Sequence, residues 1–204
     1  MNEPRFSEED LAPSDDDKRA ERRSIADRVA ASAAVLAVGV WVGGRLALGA
    51  CAAPFVFRVV PQPLAGDAMG AAFSRFDQIA IGGAVIVLGA EVIRTWAAGR
   101  GGRGVWPRVR RYVAIFMAAA ATYFGLVLSP RIVELHRAGA VRGAGPNGQE
   151  LDRIHGRART IGQIEAALGV ALVALHVFTL RTRRPDDDDD EDDEAVAPLP
   201  PGPR

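Results

Sequence analysis

The stretch YVAIFMAAAATYFGLVLSP, residues 112–130, runs for nineteen residues without a formal charge. A helix crosses the roughly 30 Å hydrocarbon layer of a bilayer with about 20 mostly apolar residues, rising 1.5 Å at each. This stretch meets that requirement. Pro107 stands just ahead of it, at the first turn of a helix, where a missing amide hydrogen costs little. A membrane span over about 108–130 follows, and comparable stretches lie on both sides of it.

Toward the N-terminus, residues 29–57 contain one charge, Arg45, and predict a first span that Pro54 kinks or ends by removing an amide donor. Arg58, Pro61 and Pro63 mark a boundary. Met69, Ala72, Phe73 and Phe76 then recur at helical spacing, predicting a short interfacial helix over 65–76 that either stands alone or runs into the next span. The second span covers about 77–98, holds Glu91 and Arg94, and gives way to the basic turn GRGGRGVWPRVRR. Trp96 and Trp106 occupy the places of aromatic anchors at a membrane surface. Beyond residue 130, Gly143 to Pro146 and Asn147-Gly148 read as a turn. A fourth helix over about 151–182 follows, with its membrane part beginning near Thr160. The expected fold is all-α, an integral membrane four-helix bundle, antiparallel and up-and-down, with a short interfacial helix between helices 1 and 2.

An average of 49% apolar and 25% charged residues resembles a soluble protein, but the charges are segregated. Residues 1–28 hold nine acidic and six basic side chains, and residues 186–194 are nine consecutive Asp or Glu. Residues 29–185 hold 18 Arg, no Lys and seven carboxylates, so the net zero of the chain arises only from the sum of unlike regions. The expected organisation is a charged tail over 1–28, a membrane domain over 29–184 and an acidic, proline-rich tail over 185–204. Both tails are expected to be disordered, because like charges repel and little apolar surface is available to bury. Close to the spans, thirteen Lys and Arg (within 18–28, 100–111 and 181–184) fall on the side shared by the tails and the loop after the second span, against eight on the other. That count places both termini in the cytoplasm and the chain in the cell membrane. Arg22-Arg23-Ser24-Ile25 has the outline of a twin-arginine export signal, and Leu48 to Cys51 that of a lipoprotein cleavage box. Arg45 interrupts the apolar stretch between them and three more spans follow, so the chain is read as unprocessed.

No phosphate loop, nucleophile elbow or zinc-finger spacing occurs, and a single cysteine, Cys51, excludes an intrachain disulfide and a cysteine metal cluster. A non-enzymatic protein without a cofactor is therefore expected. Basic loops without interleaved aromatics suit the lipid bilayer, including anionic lipid headgroups, and not nucleic acid. A second copy of the chain or another membrane partner is left open.

Ionisable groups inside spans are costly and face a bundle interior or water, which singles out Arg45, Glu91, Arg94, Glu165 and His176. Arg45 lies about 24 Å along the first span and Glu165 about 8 Å into the fourth from the opposite face, so the two reach similar depth and are expected to pair. The plainer reading of such a pair is helix register; the functional one is a gate or an ion pathway. Glu91 and Arg94, three residues apart, are expected to neutralise each other, with Arg94 snorkelling to the nearby membrane edge. His136 and His155 flank the loop after the third span, near Glu134 and Asp152, and form the candidate metal site. Five arginines around them, Arg131, Arg137, Arg153, Arg157 and Arg159, would oppose a divalent cation and favour an anion.

Phe57-Arg58-x-x-Pro61, Phe73-x-x-Phe76, Pro130-Arg131 and His155-Gly156 follow one another at helix ends. In that order they resemble the domain of unknown function 4149 family, which is itself similar to eukaryotic transmembrane protein 205. The resemblance covers about positions 30 to 180. It implies a small four-span membrane domain with no assigned reaction, and a more distant similarity to the copper-resistance D type of membrane domain implies metal handling as an alternative. On the matching strings, Arg58 and His155 are the residues expected to matter most, alongside Pro61, Pro130, Arg131 and Gly156. Arg45, Glu91 and Arg94 fall outside that pattern.

Overall fold

The computed structural model describes residues 14–61, 64–99 and 104–180, which form helices and short connections. Ser14 opens the first helix: its Oγ accepts from the Asp17 amide at 3.1 Å while the Asp17 carboxylate accepts from the Ser14 amide at 3.0 Å. This reciprocal cap and the acidic run Asp15, Asp16 and Asp17 satisfy and complement the positive helix start. Helix α1 (Asp15–Leu46) therefore begins well before residue 29. The expectation of disorder through residue 28 is corrected for residues 15–28, which are helical. Residues 1–13 and the acidic tail lie outside the described residues.

α1 passes through a π-helical segment (Ala47–Ala52) into α2 (Ala53–Val59). α3 spans Leu64–Ala98. α4 (Val105–Tyr123) passes through a second π-helical segment (Phe124–Leu128) into α5 (Ser129–Arg137), and α6 spans Gly145–Phe178. Among the described residues the result is four continuous helical rods of 45, 35, 33 and 34 residues, each long and apolar enough to cross a membrane.

Pro54, expected to kink or end the first span, does not end it, and Pro130, expected at the end of the third, lies in a helix that continues to Arg137. A proline ring collides with the carbonyl four residues earlier, here Ala50 and Leu126, and removes one amide. Both of those residues sit in the π-helical segments, where winding widens to five-residue spacing: Ala53 donates to the Leu48 carbonyl and Ser129 to the Phe124 carbonyl. One inserted wide turn accommodates each proline, and the helix resumes.

Residues 65–76, expected as a short interfacial helix, are the first turns of α3, with no break before the span. α6 starts at Gly145 with Pro146 in its first turn, so Asn147-Gly148 lies inside the helix and not in the turn before it. Gly139, at φ +72°, caps α5 and begins that turn.

The core lies where α1 packs on α3. Ala30, Ala34, Ala37, Val38 and Trp41 face Ala80, Ala84, Val87 and Ala90, and the small side chains allow close approach of the two backbones. α1 and α4 each contact both α3 and α6. At Gly169, any Cβ would collide with the Val42 side chain, so glycine sets the separation of α6 from α1. Phe124, Leu128, Leu135, Leu151 and Ile154 form a second cluster joining α5 to α6. Outside this core the surface stays apolar: Leu36, Val85, Val92, Leu126 and Val170 are each at least 66% exposed. An apolar exterior of this extent suits lipid and not water.

Candidate functional site

Each of the four rods brings polar side chains into the interior, and these gather in two separate clusters. In the first, Arg45 extends from the last turn of α1. Its Nη2 donates to Asp77 Oδ1 at 3.2 Å, and its Nη1 lies 2.9 Å from Glu165 Oε2. The guanidinium stands over the Phe124 ring, 4.2 Å from its centroid, a cation–π contact. Ser129 Oγ, at the start of α5, donates to Asp77 Oδ2. The expected pairing of Arg45 with Glu165 is present. Asp77, read from the sequence only as the start of a span, is the member of this cluster that sequence reasoning missed. Its signal was a lone carboxylate at the depth of Arg45, visible once α3 is placed beside α1. Arg45 and Glu165 meet by charge without an aligned hydrogen bond: among the described residues neither Glu165 oxygen, nor Nε or Nη1 of Arg45, has a hydrogen-bond partner.

The second cluster corrects the expectation for Glu91 and Arg94. Arg94 donates from Nε to Asp27 Oδ1 at 2.8 Å and from Nη2 to the Thr179 carbonyl at 3.0 Å, and its Nη1 meets His176 Nδ1 at 2.8 Å. Glu91 instead accepts from Arg110 Nε at 2.6 Å, and Arg110 also donates to Thr179 Oγ1. Arg94 is 2% exposed and does not snorkel. A guanidinium has no acceptor, so His176 must accept at Nδ1 and carry its proton on Nε2, which faces Glu91 Oε1 at 3.5 Å. The i,i+3 spacing of Glu91 and Arg94 made a mutual pair plausible, but partners on α1 and α4 lie closer to each. Arg110, read as part of a basic loop, is buried at 3% exposure. Trp96 and Trp106 flank this end: Arg23 lies over the Trp96 ring at 5.8 Å, and Trp106 meets Phe178 edge-on at 5.5 Å.

Around the turn between α5 and α6, Arg131 binds both oxygens of Glu150, at 2.8 and 3.0 Å, and also Glu134 at 2.7 Å. The forked pair fastens α5 to α6. His136 and His155 approach with ring centroids 6.1 Å apart. Their expected companions are engaged elsewhere, Glu134 with Arg131 and Asp152 with Arg142. Among the described residues no group of three or more His, Cys, Asp or Glu gathers to hold a metal. His155 lies on the polar first turns of α6, ahead of the apolar stretch. Burial lowers its pKa below the usual histidine range, and Arg142 and His136 add to the effect. Arg58 is exposed on the last turn of α2, Pro61 follows that helix, and Gly156 is exposed on α6.

The architecture is that of a multi-pass membrane protein, a helical bundle whose long apolar rods enclose ion pairs. A family model described as Domain of unknown function (DUF4149) matches residues 36–140, just over half of the chain, and the chain belongs to that family. Phe57 to Pro61, Phe73 to Phe76 and Pro130-Arg131 fall within the match, whereas His155-Gly156 lies beyond it. No curated protein and no solved structure matches the chain.

Proposed function

We propose that the protein is a non-enzymatic membrane bundle, antiparallel and up-and-down, acting as an accessory component or a small-solute permeability factor. The alternation of its charge clusters supports this reading. The Arg45 cluster takes the late part of the first rod, the early part of α3, the late part of the third rod and Glu165 of α6. The Arg94 cluster takes the early part of α1, the late part of α3, the early part of α4 and the late part of α6. Such alternation is what rods of opposite direction produce. From Asp27 to Arg45 the first rod rises about 27 Å, close to the roughly 30 Å hydrocarbon thickness, so the two clusters would sit near the two membrane faces. The charges therefore tie helices together at both ends of the bundle, a role that needs no turnover.

The orientation with both termini cytoplasmic rests on the arginine distribution. Removing buried Arg110 from the loop count leaves twelve cations against eight, and the bias survives. In a Cys51→Ser background, Asn147→Cys should react with a membrane-impermeant maleimide from the outer face only, and Gly104→Cys from the cytoplasmic face only. Labelling of Asn147→Cys from the cytoplasmic face alone would reverse the topology. The approach of His136 to His155 supports a second reading, metal handling, which the arginines around them disfavour.

A further inference from the structure

The two interior clusters differ in charge. Around Arg94 two carboxylates, Asp27 and Glu91, meet two guanidiniums, Arg94 and Arg110, and the formal sum is zero. Around Arg45 two carboxylates, Asp77 and Glu165, share one guanidinium, and the formal sum is −1. An uncompensated charge inside a membrane protein is costly, so a further positive charge belongs at this place. We propose that the Asp77–Arg45–Glu165 cluster is a proton-binding site, with one proton held between the two carboxyl groups.

The contacts indicate where the proton resides. Both Asp77 oxygens are occupied, Oδ1 by Arg45 and Oδ2 by the Ser129 hydroxyl. Glu165 is 1% exposed, and neither of its oxygens has a hydrogen-bond partner among the described residues. Protonation of Glu165 neutralises the excess charge and converts an acceptor-only group into one that can also donate, here toward Asp77 or a backbone carbonyl. The step is transfer of H⁺ from hydronium to a carboxylate: an O–H bond forms on the carboxyl oxygen, one O–H bond of hydronium breaks and its electron pair stays on the water molecule that is left. The groups facing the site are Arg45 from α1, Asp77 from α3, Phe124 and Ser129 from the third rod and Glu165 from α6.

The surrounding backbone fits a site that changes state. Arg45 lies two residues before one π-helical segment, Phe124 opens the other, and Ser129 follows it directly. Such segments recur at functional sites because a wide turn can shift without unwinding its helix. Loss of the proton would set two like charges against each other across α3 and α6, and the wide turns beside Arg45 and Ser129 would absorb the separation.

The inference rests on the membrane placement proposed above. Failure of that placement shows in cysteine labelling, whereas the proton is read independently by infrared spectroscopy of the full chain in lipid vesicles. The expected result is a carboxylic-acid C=O absorption at neutral pH that shifts in D₂O, is lost in Glu165→Gln or Asp77→Asn, and survives in Glu91→Gln. Because each of the first two changes removes the excess charge, both variants should keep a thermal midpoint at or above that of the parent, and each serves as the control if the other fails to fold. Absence of the band at neutral pH, or its persistence in both Glu165→Gln and Asp77→Asn, would overturn the proposal.

Discussion

A buried guanidinium is stable only beside a carboxylate, because its desolvation is repaid by charge and hydrogen bonding at close range. Arg110 and Glu91 are both 3% exposed and joined at 2.6 Å, so removal of one partner strands the other. Arg110→Gln is expected to destabilise the fold by about 3–5 kcal/mol. The double variant Glu91→Gln/Arg110→Gln should recover part of that loss, giving a coupling energy of about 1–3 kcal/mol in a double-mutant cycle measured by denaturation in micelles. Additive losses would show that the contact carries no energy of its own. At His136 and His155 the opposite expectation holds, since the carboxylates near them are engaged by arginine. Calorimetric titration with copper or zinc should detect no binding tighter than about 10 μM. Tighter binding abolished by His136→Ala with His155→Ala would restore the metal reading.

Whole elements depend on a few backbone positions. α6 approaches α1 at Gly169, where a methyl group would strike the β-branched and therefore stiff Val42. Gly169→Ala should cost about 1–3 kcal/mol in spite of its higher helix propensity. Adding Val42→Ala, which clears the space, should return most of that loss, and an unchanged thermal midpoint in the single variant would refute the close approach. The prolines illustrate why element boundaries were only partly legible. Pro54 and Pro130 forbid regular α-helix, and the residues alone allow either a stop or a widened turn. At Pro130 the wide turn prevails because the helix beyond it has somewhere to pack: Leu135 joins the cluster with Leu151 and Ile154. The early start of α1 was legible in Ser14 and Asp17, but the surrounding charge was read as a disordered tail.

At the scale of the molecule, the exterior and the interior follow different rules. Hydropathy alone located four stretches able to cross a bilayer, because length and absence of charge are properties of the chain taken in order. An overall apolar exterior predicts that the protein remains dispersed in detergent or lipid and aggregates when either is withdrawn. A monodisperse elution in detergent-free buffer would contradict that expectation. Depth along each span was also readable from residue counts, which is how Arg45 and Glu165 were matched. Rotation about the helix axes was not readable, and it decides which of several groups at one depth meet. For that reason Glu91 turned to Arg110 and not to Arg94, Arg94 turned to Asp27 and His176, and Asp77 completed the Arg45 cluster. The sequence by itself determined the class of protein, the number of long apolar helices and the family, since these depend on composition, spacing and short strings. Only the tertiary structure decided the charge partners, the excess carboxylate beside Arg45 and the passage of helices through their prolines, because each depends on neighbours far apart in the chain.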